Sequence, residues 1–196
     1  MSGETRNGGR RGSIEVVAGG MFSGKTEELL RRLKRARFAR QNVQTFKPRI
    51  DARYDASAIV SHDQQRSEAT ALASSDGLLR EVLESTDVVG IDEAQFFDRG
   101  IVDVAETLAN RGVRVILAGL DQDYLGRPFA PMPDLMAIAE VVTKLHAICV
   151  VCGETASRSQ RIVTDEGQVL VGGEDAYEPR CRACFEPRSV LATRHR

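Results

Sequence analysis

Gly19-Gly20-Met21-Phe22-Ser23-Gly24-Lys25-Thr26 follows the spacing GxxxxGK[ST], and it stands between an apolar run, Ile14 to Ala18, and a helical pattern that begins near Glu27. A strand, a glycine-rich turn and a helix in that order constrain the fold more than anything else in the chain. Glycines permit a tight loop whose backbone N–H groups face inward, the following helix N-terminus adds partial positive charge, and Lys25 adds a full one. Such a loop cradles phosphate, and Thr26 is placed to offer its hydroxyl to Mg²⁺. A loop of this kind needs a parallel sheet behind it.

The rest of the chain supplies one. Apolar runs at Ile14 to Ala18, Val43 to Phe46, Val88 to Ile91, Val113 to Ala118 and Val141 to Ile148 read as strands. Helical patterns alternate with them: Glu27 to Arg40 with Leu29, Leu33 and Ala36 on one face, Gly77 to Glu84 with Leu78, Leu79, Val82 and Leu83, and Ile101 to Asn110 with Ile101, Val104, Ala105 and Leu108. The class is α/β, with a parallel sheet covered by helices. From Leu120 to Pro133, Gly126, Pro128, Pro131 and Pro133 break the pattern into a long irregular segment, a place where function often sits. The expected organisation is a tail over residues 1–12, a phosphate-binding α/β domain over 13–148, a smaller metal-held module over 149–186, and a basic tail over 187–196.

Val88-Val89-Gly90-Ile91-Asp92-Glu93 is an apolar strand ending in two acids, which carries carboxylates to the C-terminal edge of the sheet, where ligands of such folds bind. Asp92 is assigned to hydrated Mg²⁺ and Glu93 to the general base. A helix cap and a first-turn acid are the plainer reading of the same pair. Arg31, Arg32, Lys34, Arg35, Arg37 and Arg40 read as a solvated helix face rather than a nucleic-acid patch. His62 and His146 stand alone and read as structural or surface residues, and His195 falls in a tail.

Cys149-Val150-Val151-Cys152 and Cys181-Arg182-Ala183-Cys184 use every cysteine in the chain. Two CxxC pairs suit tetrahedral thiolate binding of a structural Zn²⁺; buried free thiols and a redox pair are the alternatives. A closed site of four cysteines leaves no open coordination position, so this metal would pin the segment Gly153 to Arg180 rather than perform chemistry. Lys and Arg number 27 against 28 Asp and Glu, a net charge of −1, which gives no field for a nucleic-acid or anionic membrane surface. Without an apolar leader or spanning run, the expected compartment is the cytoplasm.

Taken together, these motifs resemble the cellular, tetrameric (type II) thymidine kinases from about Gly12 to Phe185. The resemblance rests on Gly19 to Thr26 followed by Glu27-Glu28-Leu29, Phe46-Lys47-Pro48-Arg49-Ile50-Asp51-Ala52-Arg53-Tyr54, Ser61-His62-Asp63, Asp92-Glu93-Ala94-Gln95-Phe96-Phe97, Gly119-Leu120-Asp121, Gly126-Arg127-Pro128-Phe129 and both cysteine pairs. It implies a RecA-like core with a zinc-held lasso, and ATP-dependent phosphorylation of the 5′-hydroxyl of thymidine in deoxynucleoside salvage, by a homotetramer without nucleic-acid or membrane partners. By the same carry-over Glu93 is the base. Gly19, Gly20, Met21, Phe22, Ser23, Gly24, Lys25 and Thr26 hold ATP, bordered by Asp92, Glu93, Ala94 and Gln95. Asp51 and Arg53 approach the phosphates and Mg²⁺. Phe96, Phe97, Tyr124 and Tyr177 surround the nucleoside, while Leu170, Val171, Gly172 and Gly173 present backbone to the base. For the aromatics, ordinary core packing is the alternative. Gly20 departs from the family, which usually has proline there, and leaves the loop less rigid before ATP binds. A nucleic-acid-dependent ATPase with a zinc ribbon is the competing function.

Overall fold

The computed structural model of the chain describes residues 12–49, 58–60, 66–163 and 175–187, with backbone alone at 58–60 and 66–68. Asp51, Arg53, His62, Leu170, Val171, Gly172, Gly173, His195, the first eleven residues and residues 188–196 lie outside the described residues.

Strand β1 (Ser13–Gly19) leads through the glycine loop into α1 (Lys25–Phe38). The helix starts two residues before the sequence pattern because Gly24, at φ +80, turns the chain straight into it. That left-handed conformation costs glycine little and other residues more. Glu27 and Glu28 in the first turn and Arg35 and Arg37 in the last suit the helix dipole, and Leu29, Leu30, Leu33 and Ala36 form the buried face. Strand β2 (Val43–Pro48) follows, then a hairpin of β3 (Ala58–Val60) with β4 (Arg66–Glu68), strand β5 (Thr70–Leu72) and helix α2 (Ser75–Glu81). Strand β6 (Val88–Ile91), a 3-10 turn over Ala94–Phe96, helix α3 (Ile101–Asn110) and strand β7 (Arg114–Leu120) complete the central unit.

Strands β5, β2, β6, β7 and β1, with β8 (Val141–Leu145) at the far edge, form a six-stranded sheet in that order, and every pairing is parallel. Alternation along the central strands fills two cores. Val17, Val88, Ile116 and Ala118 meet Leu29, Leu30, Leu33 and Ala36 of α1. Val16, Val89, Val115 and Leu117 meet Leu78, Ile101, Val104, Ala105 and Leu108 on the other face. Burying these side chains from water is the main stabilising term for such a three-layer arrangement.

Three expectations need correction. Helix α2 ends at Glu81, where Val82 turns extended, so Leu83 lies past the helix and is exposed rather than on its apolar face. Helix α4 (Met132–Ile138) begins inside the segment read as irregular, with Pro131 just before it and Pro133 in its first turn. Proline is well tolerated there because first-turn N–H groups have no partner within the helix. The strand expected over Val141 to Ile148 divides at His146, an exposed residue, into β8 and β9 (Ala147–Ile148). Strand β1 ends at Gly19, opposite Leu145, so beyond that point the ladder has no neighbour. Strand β9 pairs instead with β10 (Thr155–Ala156), and β11 (Arg158–Arg161) pairs antiparallel with β12 (Tyr177–Arg180). Among the described residues no helix is long and apolar enough to cross a membrane.

One polar cluster fastens α1 to the sheet. Glu15 accepts hydrogen bonds from Arg32 (2.8 Å) and Arg114 (2.6 Å), and Arg32 also donates to Glu28 (2.8 Å) and Thr143 (2.8 Å). Arg32 is thereby drawn out of the solvated basic face, whose other members are exposed. Burial opposes ionisation of Glu15, but Arg114 and Arg32 overcome it and hold its carboxyl below the ordinary glutamate range. Such a group stabilises the fold above its unfolded pKa of about 4.3 and loses that contribution as pH falls through the lower folded value. Glu15→Gln should therefore cost about 1–3 kcal/mol at neutral pH. Denaturant titrations of both proteins should show this gap closing as pH falls below about 4; a gap that stays constant with pH would remove the charge from the explanation.

Candidate active site

The site lies at the C-terminal edge of the sheet, where β1, β6 and β7 deliver their loops. Lys25, 8% exposed, donates from Nζ to the Gly20 carbonyl at 2.6 Å, and Ser23 Oγ donates to the same oxygen at 2.8 Å. Burial pushes the Lys25 ammonium below its ordinary pKa, while Glu93, Asp92, Asp121 and Glu27 pull it back up. A cation surrounded in this way is held ready for anionic ligand oxygens.

Asp92 is 6% exposed, and Thr26 Oγ1 donates to its Oδ2 at 3.2 Å. Burial and the Glu93 carboxylate push Asp92 up to about 7, against the Glu93 N–H, Lys25 and Thr26. A carboxyl disfavoured in its charged form regains that form beside a cation. Thr26 and Asp92 present neighbouring hard oxygen donors, and this donor set fits Mg²⁺.

Glu93 takes φ +52, a left-handed conformation uncommon outside glycine and often found at functional sites. It begins the 3-10 turn rather than capping a regular helix, and its side chain makes no cap hydrogen bond. Gln95, 3% exposed, donates from Nε2 to Glu93 and accepts the Leu120 N–H at 3.0 Å. The end of β7 thus holds Gln95, and Gln95 holds Glu93. Gly119 makes this packing possible: a Cβ there would lie 2.6 Å from Met132 Sδ and 2.7 Å from Gln95 Oε1.

Asp121 had no role in the sequence reading beyond its place in a motif. It is 7% exposed, accepts from Lys144 of β8 at 2.7 Å through Oδ2, and leaves Oδ1 without a hydrogen-bond partner among the described residues. Because β1 lies between β7 and β8, the Asp121–Lys144 pair spans the strand that feeds the glycine loop. Only spatial register brings these two residues together.

The loop after β7 is ordered by Asp123, whose Oδ1 accepts the Leu125 and Arg127 N–H groups, both at 2.9 Å. Arg158 ties this loop to β11 by donating to Gln122 and to the Gly126 carbonyl (3.3 Å). Tyr124 and Tyr177 come together through Arg161, a residue the sequence reading did not single out. Its buried guanidinium lies 3.7 Å from the Tyr124 ring centroid and donates to the Tyr177 hydroxyl at 2.8 Å. Phe96 packs edge-on to Phe129, with centroids 5.9 Å apart. Phe97, grouped by sequence with the pocket aromatics, is buried in the main core with Leu78 and Ile101.

The sulfur atoms of Cys149, Cys152, Cys181 and Cys184 all lie within 4.8 Å of one another. Cys152 and Cys181 Sγ are 3.6 Å apart. A tetrahedral zinc thiolate centre with Zn–S bonds of about 2.3 Å needs sulfur separations of about 3.8 Å, so the four residues fit Zn²⁺. Gly153, at φ +78, closes the first knuckle by donating its N–H to the Cys149 carbonyl at 2.9 Å.

Comparison with known proteins agrees with this geometry. The family model described as thymidine kinase matches residues 12–185. A thymidine kinase from Rhodothermus sp. (strain ITI 518) is 59% identical over 188 residues, covering 96% of this chain and 88% of the relative. Thymidine kinases from Bdellovibrio bacteriovorus and Bacteroides fragilis are 57% and 58% identical, covering 90% and 93% of this chain and 87% and 90% of those proteins. With the phosphate loop, the acidic strand end and the cysteine pairs all within the matched span, the chain belongs to the thymidine kinase family.

Proposed function

We propose that this chain transfers the γ-phosphoryl group of ATP to the 5′-hydroxyl of thymidine, giving dTMP and ADP. The observation that carries the reading is the convergence of buried Lys25 and Asp92 and half-buried Glu93 on one glycine loop in a chain of this family. Backbone N–H groups from Gly19 to Thr26 and the Lys25 ammonium bind the phosphates. Thr26 and Asp92 would hold Mg²⁺, which when bound would supply charge neutralisation on the phosphate oxygens. Glu93 accepts the 5′-hydroxyl proton as the new O–P bond forms and the bond to the β-phosphate oxygen breaks, so the electron pair leaves with ADP. Gln95 keeps the Glu93 carboxylate aimed, and Ala94 shares its buried turn.

Phe96, Tyr124 and Tyr177 belong to the nucleoside side of the site. Phe97 supports the turn from the core, where its N–H donates to the Ala94 carbonyl at 3.2 Å. Asp51 and Arg53 are assigned to the phosphates, and the backbone of Leu170, Val171, Gly172 and Gly173 to the thymine base, by resemblance. The cysteine module holds one Zn²⁺ as an architectural ion and forms a unit distinct from the α/β domain. A cytoplasmic homotetramer completes the proposal.

ADP formation should require thymidine and should not respond to polynucleotide; the opposite pattern would identify a nucleic-acid-dependent ATPase. Glu93→Gln keeps the shape of the side chain and removes its proton acceptor, so kcat should fall roughly 10²- to 10⁴-fold with ATP binding retained. Near-normal turnover by this variant would reject Glu93 as the base. Metal analysis of the purified protein should find one zinc per chain and none in Cys149→Ser. Because structural zinc contributes on the order of 10 kcal/mol to folding, that variant should also melt at a clearly lower temperature.

A further inference from the structure

Met21 and Phe22 sit in the middle of the phosphate loop, yet their contacts run to the cysteine module. Phe22 packs against the apolar cluster of Ala147, Cys149, Ala156 and Cys181, with Cys184 beside it. Its backbone is left-handed, at φ +62, a conformation that a bulky residue keeps only where its surroundings over-determine it. The Met21 N–H donates to Ser159 Oγ at 2.9 Å, and Ser159 is 5% exposed on β11. A Cβ on Gly20 would stand 3.4 Å from the same oxygen and 3.7 Å from the Ser157 backbone. Three consecutive loop residues therefore face one wall, built by β11 and the cysteine knuckles.

We propose that the cysteine module braces the phosphate loop, with Phe22 as the positioning residue that couples metal occupancy to the loop's capacity for nucleotide. The proposal rests on the reading that this loop holds ATP and the four cysteines hold zinc. Cys149 and Cys181 are both ligands and wall: the sulfurs that would hold the ion carry the surface against which the Phe22 ring packs. With the ion bound, the knuckles are fixed and the ring holds Phe22 in its left-handed conformation. Without it, the wall loosens, Phe22 relaxes to ordinary backbone angles, and the N–H groups on either side swing out of register. Nucleotide affinity then falls in proportion to the fraction of loops still correctly shaped. Metal removal acts on ATP binding at a distance, through packing rather than through any contact between zinc and phosphate.

The test uses the full chain in its zinc-bound form, with hydrogen exchange of the Gly19 to Ser23 amides measured without nucleotide and titration by a non-hydrolysable ATP analogue measured separately. Phe22→Ala, still holding its zinc, should exchange these amides faster and bind the analogue about tenfold more weakly; Phe22→Leu should recover part of both losses. Chelation of the unsubstituted protein should reproduce the Phe22→Ala behaviour while far-UV circular dichroism of the sheet is retained, and chelation of Phe22→Ala should add little. Loop exchange and analogue affinity unchanged in zinc-bound Phe22→Ala would overturn the brace, as would equal, additive effects of chelation in both proteins. Because exchange is read without nucleotide, a zinc-bound protein that fails to bind the analogue would count against the ATP reading and leave the brace to be judged by exchange alone.

Discussion

Burying the Lys25 ammonium under a loop of backbone is the constraint around which the rest of the molecule is arranged. An isolated charge in that position would be costly, and the structure offsets the cost with one carbonyl, from Gly20, and with the carboxylates of Asp92, Glu93 and Asp121. Those acids come from two loops, Asp92 and Glu93 after β6 and Asp121 after β7. Only a parallel sheet in which β6, β7 and β1 lie side by side brings the ends of all three to one edge. The sheet order is therefore an electrostatic requirement of the loop as well as a way of burying apolar faces. Residues such as Val16, Val17, Ile116 and Leu117 hold the charges in register from below.

The acids are themselves restrained by neutral or distant partners. Gln95 links Glu93 to the backbone of Leu120, so movement at the end of β7 would be felt at the carboxylate. Asp121 is drawn toward Lys144 across β1, and its second oxygen, without a hydrogen-bond partner among the described residues, lies within the field of Lys25. Glu93, in its left-handed turn, is held through Gln95 alone among these contacts, which leaves its carboxylate half-exposed at the edge of the site.

The parts legible in the sequence were those encoded by adjacent residues. Gly19 to Thr26 and Val88 to Glu93 carry their chemistry and its supporting strand within a few positions, and the alternation of strands with helices such as Ile101 to Asn110 follows from periodic apolar faces. The two cysteine pairs were readable because their spacing is a ligand geometry. Gln95 to Leu120, Asp121 to Lys144 and Arg161 between Tyr124 and Tyr177 were not readable, since each joins residues from separate segments by register alone. Strands β11 and β12 left no apolar alternation because their side chains are largely polar and find their partners mostly in other segments, as Arg158 does at Gln122 and Ser159 at Met21. The start of α4 was hidden by prolines that break a pattern in most contexts and open a helix in this one.

The polar strand β11 explains how a sheet edge becomes an enclosed site. Arg158 holds the loop after β7, Ser159 receives the N–H of Met21, and Arg161 gathers Tyr124 and Tyr177, so one short strand touches the glycine loop, the β7 loop and the cysteine-held hairpin. An apolar strand could pack against these neighbours but could not fix their spacing, because dispersion contacts lack direction, whereas each hydrogen bond here sets a distance. Burying Arg161 and half-burying Arg158 is costly, and they are retained where each answers several acceptors or ring faces at once. The cysteine cluster next to β11 fits the same logic. A polar strand with little apolar area of its own needs an anchor stronger than packing, and a metal bound by four sulfurs can supply one in very few residues.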